Sequence, residues 1–278
     1  MTAYSGNIKK MQAVAQVGEA VDYQLPIGDQ LLSMTSLVGQ TIQVNFNQTI
    51  NCIHCKSKTK KSFNQGYCYR CLMKLAQCDT CIIKPETCHY DQGTCREPEW
   101  GEANCMSDHF VYLANTGTTK IGITRHVTDG ISSRWIDQGA TQALAILRVK
   151  NRLVSGLVET AFKQHIADKT NWRTMLKGEP EKVDLVALRE QLFNYVEYDL
   201  ENIASEHGIQ AVSMVDLDPV DITFPVDHYP EKVKSINLDK ELAFEGVLNG
   251  IKGQYLLLDN DRVINMRKYA GYHLDINI

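Results

Sequence analysis

Apolar and polar side chains alternate near both ends of the chain, which has 278 residues. In residues 12–46 the stretches QAVAQV, QLLSMTS and QTIQVNF alternate between glycine-bearing turns, a pattern typical of strands with one buried face. Residues 243–269 alternate in the same way and are interrupted by Asn-Gly, Lys-Gly and Asn-Asp turns. We therefore expect an N-terminal β region at 1–49 and a small all-β module at 208–278.

In the middle of the chain, some segments have the alternating apolar pattern of strands and others have the three-to-four-residue spacing of helices. HFVYLAN (109–115) and TKIGITR (119–125) are typical of two strands, and the Asn and Gly between them tolerate the positive φ of a hairpin turn. ISSRWIDQG then predicts a short helix, and ALAILRVK predicts a third strand. Apolar residues recur at helical spacing over 154–166 and 185–203, which predicts two more helices. The fold class is therefore α+β, with an α/β domain at 109–207.

Composition indicates an ordinary globular protein. The chain is 44% apolar and 22% charged, which excludes wholesale disorder. No apolar run approaches the ~18–20 residues that span a bilayer, and the first residues lack the basic and then apolar pattern of a signal peptide. We therefore expect a cytoplasmic protein with no membrane partner.

All nine cysteines lie in residues 50–108, which predicts a cysteine-rich module there. Without an export signal, this clustering favours metal-bound thiolates over disulfides. The pairs Cys52-x-x-Cys55 and Cys68-x-x-Cys71 are separated by twelve residues. Each CxxC turn aims two thiolates at one point, so this spacing predicts a closed, structural Zn²⁺ site with four thiolates.

A second set of cysteines follows the first quartet. Another CxxC turn and two evenly spaced cysteines predict a second structural Zn²⁺ site, so we expect one or two zinc ions in the chain. Cys105 or His109 could replace one of the last two ligands, or the first pair could share its metal with the new turn. An iron–sulfur cluster is an alternative occupant, because it also takes thiolates. The expected ligands of the second site are Cys78, Cys81, Cys88 and Cys95.

Charge is distributed unevenly, although the net charge is only −4. Residues 110–177 carry ten Lys and Arg against four Asp and Glu, a net +6, whereas residues 178–245 carry five against sixteen, a net −11. DNA or RNA could therefore meet the basic segment despite the acidic total. Alternatively, the two segments are solvated faces of neighbouring modules that attract one another.

Four residue types occur at suggestive positions in the central domain. The two hairpin strands carry Val-Tyr-Leu and Lys-Ile-Gly, an Arg lies on the short helix, and a Glu lies on the next helix. This order over residues 109–168 resembles the GIY-YIG endonuclease domain, in its phage-associated KIG-type branch. The resemblance implies that the Tyr helps to activate water, the Arg contacts phosphate, the Glu holds catalytic Mg²⁺ or Mn²⁺, and the Lys holds a phosphate in place of the second family aromatic. By position these residues are Tyr112, Lys120, Arg134 and Glu159.

The whole arrangement also resembles a bacterial family of uncharacterised proteins, which implies an architecture but no activity. We expect a metal-dependent phosphodiesterase acting on DNA or RNA. The alternatives are a non-catalytic nucleic-acid- or protein-binding protein with a decayed nuclease fold, and a zinc-scaffolded interaction protein. A cleft that holds the four residues together favours the first hypothesis. A Glu159 side chain that points into solvent, or that is held in a salt bridge, favours the others.

Overall fold

A computed structural model describes residues 3–15 and 18–278 of the chain. Within these ranges the chain forms sixteen strands in three sheets. The predicted strand QAVAQV includes residues 16 and 17, which lie outside the described residues. The strands are β1 (Ala3–Asn7), β2 (Gln12–Val14), β3 (Asp22–Ile27), β4 (Gln30–Ser33), β5 (Thr41–Asn51), β6 (Lys58–Thr59), β7 (His109–Asn115), β8 (Thr119–Thr124), β9 (Gln142–Val149), β10 (Val212–Met214), β11 (Val220–Asp221), β12 (Lys234–Ser235), β13 (Ala243–Lys252), β14 (Tyr255–Leu258), β15 (Arg262–Asn265) and β16 (Tyr272–Asn277).

Helices lie mainly in the centre of the chain, so helices and strands together make an α+β fold, as expected from the sequence. Among the described residues, no helix is both long enough and apolar enough to cross a bilayer. The α-helices are α1 (Tyr69–Lys74), α2 (Pro98–Cys105), α3 (Ser133–Asp137), α4 (Arg152–Phe162), α5 (Trp172–Met175) and α6 (Leu185–His207).

The largest sheet joins the two ends of the chain. Its strand order is β1-β16-β5-β13-β14-β15-β12, and β6 pairs with β5. β5 pairs antiparallel with β16 on one side and with β13 on the other. The sequence predicts separate β regions at 1–49 and 208–278, and the structure places strands from both in this sheet. The reason is that a small β region alone would leave strand edges unpaired and would bury too little apolar surface. Not all strands of the two regions join it, because β2, β3 and β4 form a sheet of their own and β10 and β11 pair with β9.

The central sheet has the order β10-β9-β7-β8, with β11 also paired to β9. Side chains of β7 alternate between its two faces, as the period of a strand requires. Val111 and Leu113 pack on one face in a cluster with apolar residues of α4 and α6. Tyr112 and Ala114 face the opposite way and join the main core, which contains residues of the large sheet. The central sheet therefore lies between its own helices and the β structure built from the chain ends.

The cysteine-rich segment packs directly against the central domain. Between α1 and α2 it consists mainly of short 3-10 helices, one of which spans Pro85–Thr87. A Cβ atom added at Gly156 of α4 would collide with the backbone of Pro85 and Glu86. Glycine at this position therefore lets the cysteine-rich segment approach the helix that carries Glu159.

Candidate active site and metal centres

Tyr112 lies in the middle of β7 with its ring fully buried. Its hydroxyl donates a hydrogen bond to Oε1 of Gln138 at 2.9 Å, and its ring centroid lies 5.7 Å from that of Trp135. Burial raises the pKa of Tyr112 to about 12, although the guanidinium of Arg134 opposes this shift. The phenol is therefore neutral near pH 7, where it acts through hydrogen bonds.

Lys120 lies on β8, on the same face of the sheet as Tyr112. Tyr112 is paired with Gly122 and Ala114 with Lys120, so the pleat turns all four residues the same way. The lysine is only 4% exposed, and its Nζ lies 3.5 Å from the carbonyl oxygen of Asp168. Burial, together with the charge of Arg134, lowers the pKa of Lys120 to about 8.

Arg134 lies in the first turn of α3 with an exposed side chain. The helix begins there because the hydroxyl of Ser132 accepts a hydrogen bond from the backbone N–H of Arg134, at 3.3 Å. The guanidinium favours the ionised form of Tyr112 and disfavours the ionised form of Lys120, so it lies near both. Arg134 therefore supplies an accessible positive charge beside two buried groups.

Glu159 lies on α4, whose N-terminus is capped by the side chain of Asn151. The carboxylate is 12% exposed, and its Oε2 lies 3.4 Å from Nζ of Lys163. The same ammonium lies 3.4 Å from Oδ2 of Asp168. Burial raises the pKa of Glu159, and Lys163 opposes the shift. Glu159 therefore lies in a salt bridge rather than in bulk solvent.

The four residues that the resemblance singles out lie near enough to one another for their charges to interact. The charge of Glu159 influences the pKa values of both Tyr112 and Lys120, and that of Arg134 does the same. Sequence reasoning missed Asp168, which adds a second carboxylate beside Lys163. The only available signal was its position shortly after the helix that carries Glu159. The arrangement can bind an anion through Lys120 and Arg134 and a cation through its carboxylates.

The first cysteine quartet forms a compact cluster at the end of β5 and the start of α1. The Sγ atoms of Cys52, Cys55, Cys68 and Cys71 all lie within 4.8 Å of one another, and those of Cys55 and Cys68 are 3.7 Å apart. Four thiolates around Zn²⁺ at about 2.3 Å have a mutual spacing of about 3.8 Å. This four-cysteine cluster can therefore bind a metal such as zinc.

The backbone around this cluster forms a tight turn. The carbonyl of Cys52 accepts a hydrogen bond from the N–H of Lys56 at 2.9 Å, and the N–H of Cys52 donates to the carbonyl of Ser57 at 3.0 Å. Lys56 has a φ of 62°, in the left-handed region that closes the turn. The second pair begins at Cys68, the N-cap of α1. The turn after Cys52 and the start of α1 at Cys68 thus bring the two CxxC pairs together.

The second set of cysteines assembles differently from the predicted set. Cys78 packs beside Cys52 and Leu75, against the first cluster. Three of the four predicted ligands instead line a separate cavity, and Cys105 occupies the place expected for Cys78. The cysteines that line this cavity are Cys81, Cys88, Cys95 and Cys105.

His109, the other alternative ligand, does not line this cavity. It is fully buried at the start of β7, and its Nδ1 lies 2.8 Å from the carbonyl oxygen of Ser107, to which it donates as the protonated nitrogen. Its Nε2 has no hydrogen-bond partner among the described residues. Burial lowers the pKa of His109 to about 4, so its ring is neutral near pH 7.

Asp79, Cys81 and His89 also bring their ligand atoms within 4.8 Å of one another. However, Oδ2 of Asp79 lies 2.6 Å from Nε of Arg96 and 3.6 Å from Nε2 of His89. The carboxylate is therefore already neutralised by an ion pair, and this trio is best described as part of the wall of the cavity.

Comparison with known proteins gives a family but no activity. No curated protein and no solved structure matches the chain. Residues 39–274 match the sequence profile of a family described as protein of unknown function, DUF2797. The match begins just before β5 and ends within β16, so it includes the four-cysteine cluster, the central sheet and most of the C-terminal strands. The chain therefore belongs to the DUF2797 family.

Proposed function

We propose that this protein is a metal-dependent phosphodiesterase of the GIY-YIG type that acts on DNA or RNA and contains structural zinc. The observation that carries the proposal is the proximity of one buried phenol, one buried ammonium, one exposed guanidinium and one half-buried carboxylate. They come from β7, β8, α3 and α4, in the order that the family resemblance implies. The residues are Tyr112, Lys120, Arg134 and Glu159.

The two cations suit a phosphodiester in its transition state. Hydrolysis adds negative charge to the phosphate oxygens, and a preorganised positive charge lowers the barrier most where water is excluded. Lys120 is buried, whereas Arg134 is exposed and can reach an incoming strand. Lys120 therefore supplies a fixed charge inside the site, and Arg134 supplies the first contact with the backbone of the nucleic acid.

Tyr112 acts as a positioning group in this proposal. Its pKa of about 12 keeps the hydroxyl protonated near pH 7, so the phenol does not serve as a strong base. The hydroxyl donates to Gln138 and retains lone pairs that can accept a hydrogen bond from water. It therefore orients the attacking water.

The carboxylates fit a hard divalent cation. Lys163 places one ammonium 3.4 Å from both Glu159 and Asp168, so the site already favours a positive charge between two carboxylates. Mg²⁺ and Mn²⁺ prefer oxygen ligands of this kind. When bound there, such an ion would neutralise charge on the phosphate oxygens. Glu159 would hold it, with Asp168 beside it, and Lys163 would have to turn away.

A basic groove near α3 supports a nucleic-acid substrate. Lys9, Lys10 and Arg267 line it, and the positive charge of Arg134 lowers the pKa of Arg267, so the two guanidinium groups are close. Asp137 pairs with Lys10 at 2.6 Å and more loosely with Arg267 at 3.8 Å, which leaves Lys9 and Arg134 to meet phosphates. A strand that follows this groove would reach the proposed site.

One observation favours the alternative, a nucleic-acid-binding protein without catalysis. The carboxylate of Glu159 is occupied by Lys163, and the hydroxyl of Tyr112 is occupied by Gln138. If these contacts persist when a substrate binds, the basic residues would still hold nucleic acid, but no metal or water would be activated.

The deciding experiment measures binding and cleavage on the same samples. Labelled single-stranded, duplex and branched DNA, and RNA, are incubated with the full chain with and without Mg²⁺ or Mn²⁺, at two salt concentrations. Our proposal expects metal-dependent cleavage that Glu159→Gln abolishes without loss of folding. Glu201→Gln, an exposed position on α6, is the matched control.

The possible results separate the hypotheses. Salt-sensitive binding without cleavage on any substrate would select the binding-only alternative. Cleavage that survives Glu159→Gln would place the activity elsewhere or in a contaminant. If the protein neither binds nor cleaves at low salt, both nucleic-acid hypotheses are wrong, and a zinc-scaffolded interaction protein remains.

A further inference from the structure

Four thiols surround one cavity in the cysteine-rich segment, apart from the first cysteine cluster. Apolar side chains of Ala76, Ile82 and Trp100 form part of its wall. All nine cysteines of the chain are free thiols in the structure. The thiols that face this cavity belong to Cys81, Cys88, Cys95 and Cys105.

Separate backbone elements hold these thiols in place. Cys81 lies in a 3-10 helix (Thr80–Ile82), and Cys88 follows the next one, where its N–H donates to the carbonyl of Pro85 at 3.0 Å. Cys105 is the last residue of α2. On the same helix, a Cβ atom added at Gly101 would lie only 3.3 Å from Sγ of Cys95. Glycine there lets α2 approach Cys95 closely.

The spacing of these thiols distinguishes them from the first quartet. In residues 3–15 and 18–278, Cys52, Cys55, Cys68 and Cys71 form the cluster of four ligands within 4.8 Å, and the cavity thiols form no such group. A single Zn²⁺ requires thiolates about 3.8 Å apart. In this arrangement the cavity thiols are therefore spaced more widely than the four thiolates of a zinc ion. An iron–sulfur cluster places several iron and sulfide atoms between its thiolates, so it requires a wider arrangement.

Two buried or half-buried arginines favour an anionic group at this point. Arg152 of α4 directs its guanidinium at the carbonyl oxygens of Cys81, 3.5 Å from Nε, and of Ile82, 2.5 Å from the terminal nitrogen. Arg125 forms a hydrogen bond with Asn104 of α2. Both arginines therefore contact the segment that carries the cavity thiols, Arg152 at the turn of Cys81 and Arg125 on the helix that ends at Cys105. Four thiolates around an iron–sulfur core leave a net negative charge, which these cations offset.

We propose that Cys81, Cys88, Cys95 and Cys105 ligate an iron–sulfur cluster. Its role is structural, because the same segment supports the central domain. Arg152 ties α4 to the turn at Cys81, and Gly156 of the same helix packs on the turn before Cys88. The cluster therefore fixes the position of α4. The proposal does not depend on nuclease activity, since its measurement is the metal content of the protein.

The test begins with the wild-type full chain, purified without oxygen or chelators from cells supplied with iron. We expect iron and acid-labile sulfide in equal amounts, together with one zinc ion per chain and a broad visible absorption that dithionite bleaches. The iron count per chain and the electron paramagnetic resonance spectrum of the reduced protein distinguish a two-iron from a four-iron cluster. Two zinc ions and no iron, or one zinc ion and no iron, would overturn the proposal.

Two single substitutions then identify the ligands. Cys105→Ser should lose iron and sulfide but keep the zinc ion, whereas Cys78→Ser, the matched control, should keep both. Loss of iron from Cys78→Ser with full retention in Cys105→Ser would overturn the ligand assignment. If Cys105→Ser does not fold, Cys95→Ser provides the second variant, and the wild-type metal analysis remains decisive without either.

Discussion

The hydroxyl of Tyr112 occupies the space that a side chain on Gly122 of the neighbouring strand would need. The two residues are paired across β7 and β8, and a Cβ atom added at Gly122 would lie 2.6 Å from the hydroxyl oxygen and 2.7 Å from Cζ. Any larger residue at position 122 would therefore displace the phenol from Gln138 and Trp135. The glycine of the Lys-Ile-Gly strand is explained by this close approach.

Gly122→Ala should reduce stability and disturb the site together. Because the added methyl group overlaps the ring of Tyr112, we expect a loss of about 1–3 kcal/mol in the free energy of unfolding. Denaturant titration measures the loss. Gly178→Ala is the matched control, since a Cβ there meets no atom within 4 Å. Equal stability of Gly122→Ala and wild type would mean that Tyr112 has room to move.

Zinc should be bound by the first cysteine cluster at one ion per chain. Cys71→Ser removes a buried ligand, so it should abolish this zinc and unfold the turn between β5 and α1. Structural zinc contributes about 10–16 kcal/mol in zinc-finger peptides, so the effect should be large. Elemental analysis and limited proteolysis measure both results. Normal zinc content and unchanged protease resistance in Cys71→Ser would contradict the assignment, and Cys78→Ser controls for general loss of a cysteine.

Binding of nucleic acid should weaken as the pH rises through about 8, if Lys120 holds a phosphate. Burial lowers the pKa of Lys120 to about 8, so its ammonium is charged below this pH and is lost above it. Oligonucleotide affinity measured at constant salt from pH 7 to 9 should therefore fall. Lys120→Arg keeps its charge over this range and should flatten the profile. A wild-type profile that is already flat would exclude Lys120 from phosphate binding.

Acid should destabilise the fold through His109. The pKa of this buried ring is about 4, below its ordinary value of 6.5. Between these values the unfolded chain binds a proton that the folded chain does not, so stability falls as the pH drops from 6.5 to 4. The contribution is about 3 kcal/mol at most.

The measurement compares unfolding free energies of wild type and His109→Asn at several pH values. The substituted amide can still donate to the carbonyl of Ser107, and the pH dependence should become flatter. His228→Asn, at an exposed position, should leave it unchanged. If the unfolding free energies of wild type and His109→Asn changed with pH in parallel, the pKa of His109 would not be lowered by folding, which would contradict this prediction.

The central hairpin and helices could be predicted because local signals agree there. The predicted strands at 109–115 and 119–125 are found at His109–Asn115 and Thr119–Thr124, joined by the hairpin turn expected at residues 115–118. By contrast, β3 lies within the predicted β region at 1–49 but was not predicted as an individual strand. Its sequence DYQLPI alternates only as far as Leu25, where Pro26 interrupts the pattern, and most of its residues are buried. Proline cannot donate a hydrogen bond to a neighbouring strand, so its presence argues against predicting a strand. A run of buried residues also lacks the polar positions that reveal an alternating pattern.

The second cysteine set could be predicted only in part, because spacing does not determine direction. Cys78 and Cys81 form a CxxC pair, yet they lie in two separate 3-10 helices. Cys78 turns toward Leu75, while Cys81 faces the cavity. Cys105, weighed only as an alternative, reaches the cavity because α2 ends there. Which cysteines face the cavity depends on contacts between segments that are distant in the sequence. The spacing of the cysteines gives no information about these contacts.

The shared sheet predicts that both ends of the chain unfold together. Ile42 on β5 is fully buried and belongs to one core with Leu274 and Ile276 of β16, so Ile42→Ala should cost about 2–5 kcal/mol. Hydrogen exchange should then increase across β13 and β16, since both are paired with β5. Gln43→Ala, at the adjacent exposed position, should change stability by less than about 0.5 kcal/mol. If Ile42→Ala loosened only residues near β5 and left the amides of β16 fully protected, the two ends would be independent units. We expect instead that the amides of β13 and β16 both lose protection, because the two strands are hydrogen-bonded to the same strand, β5.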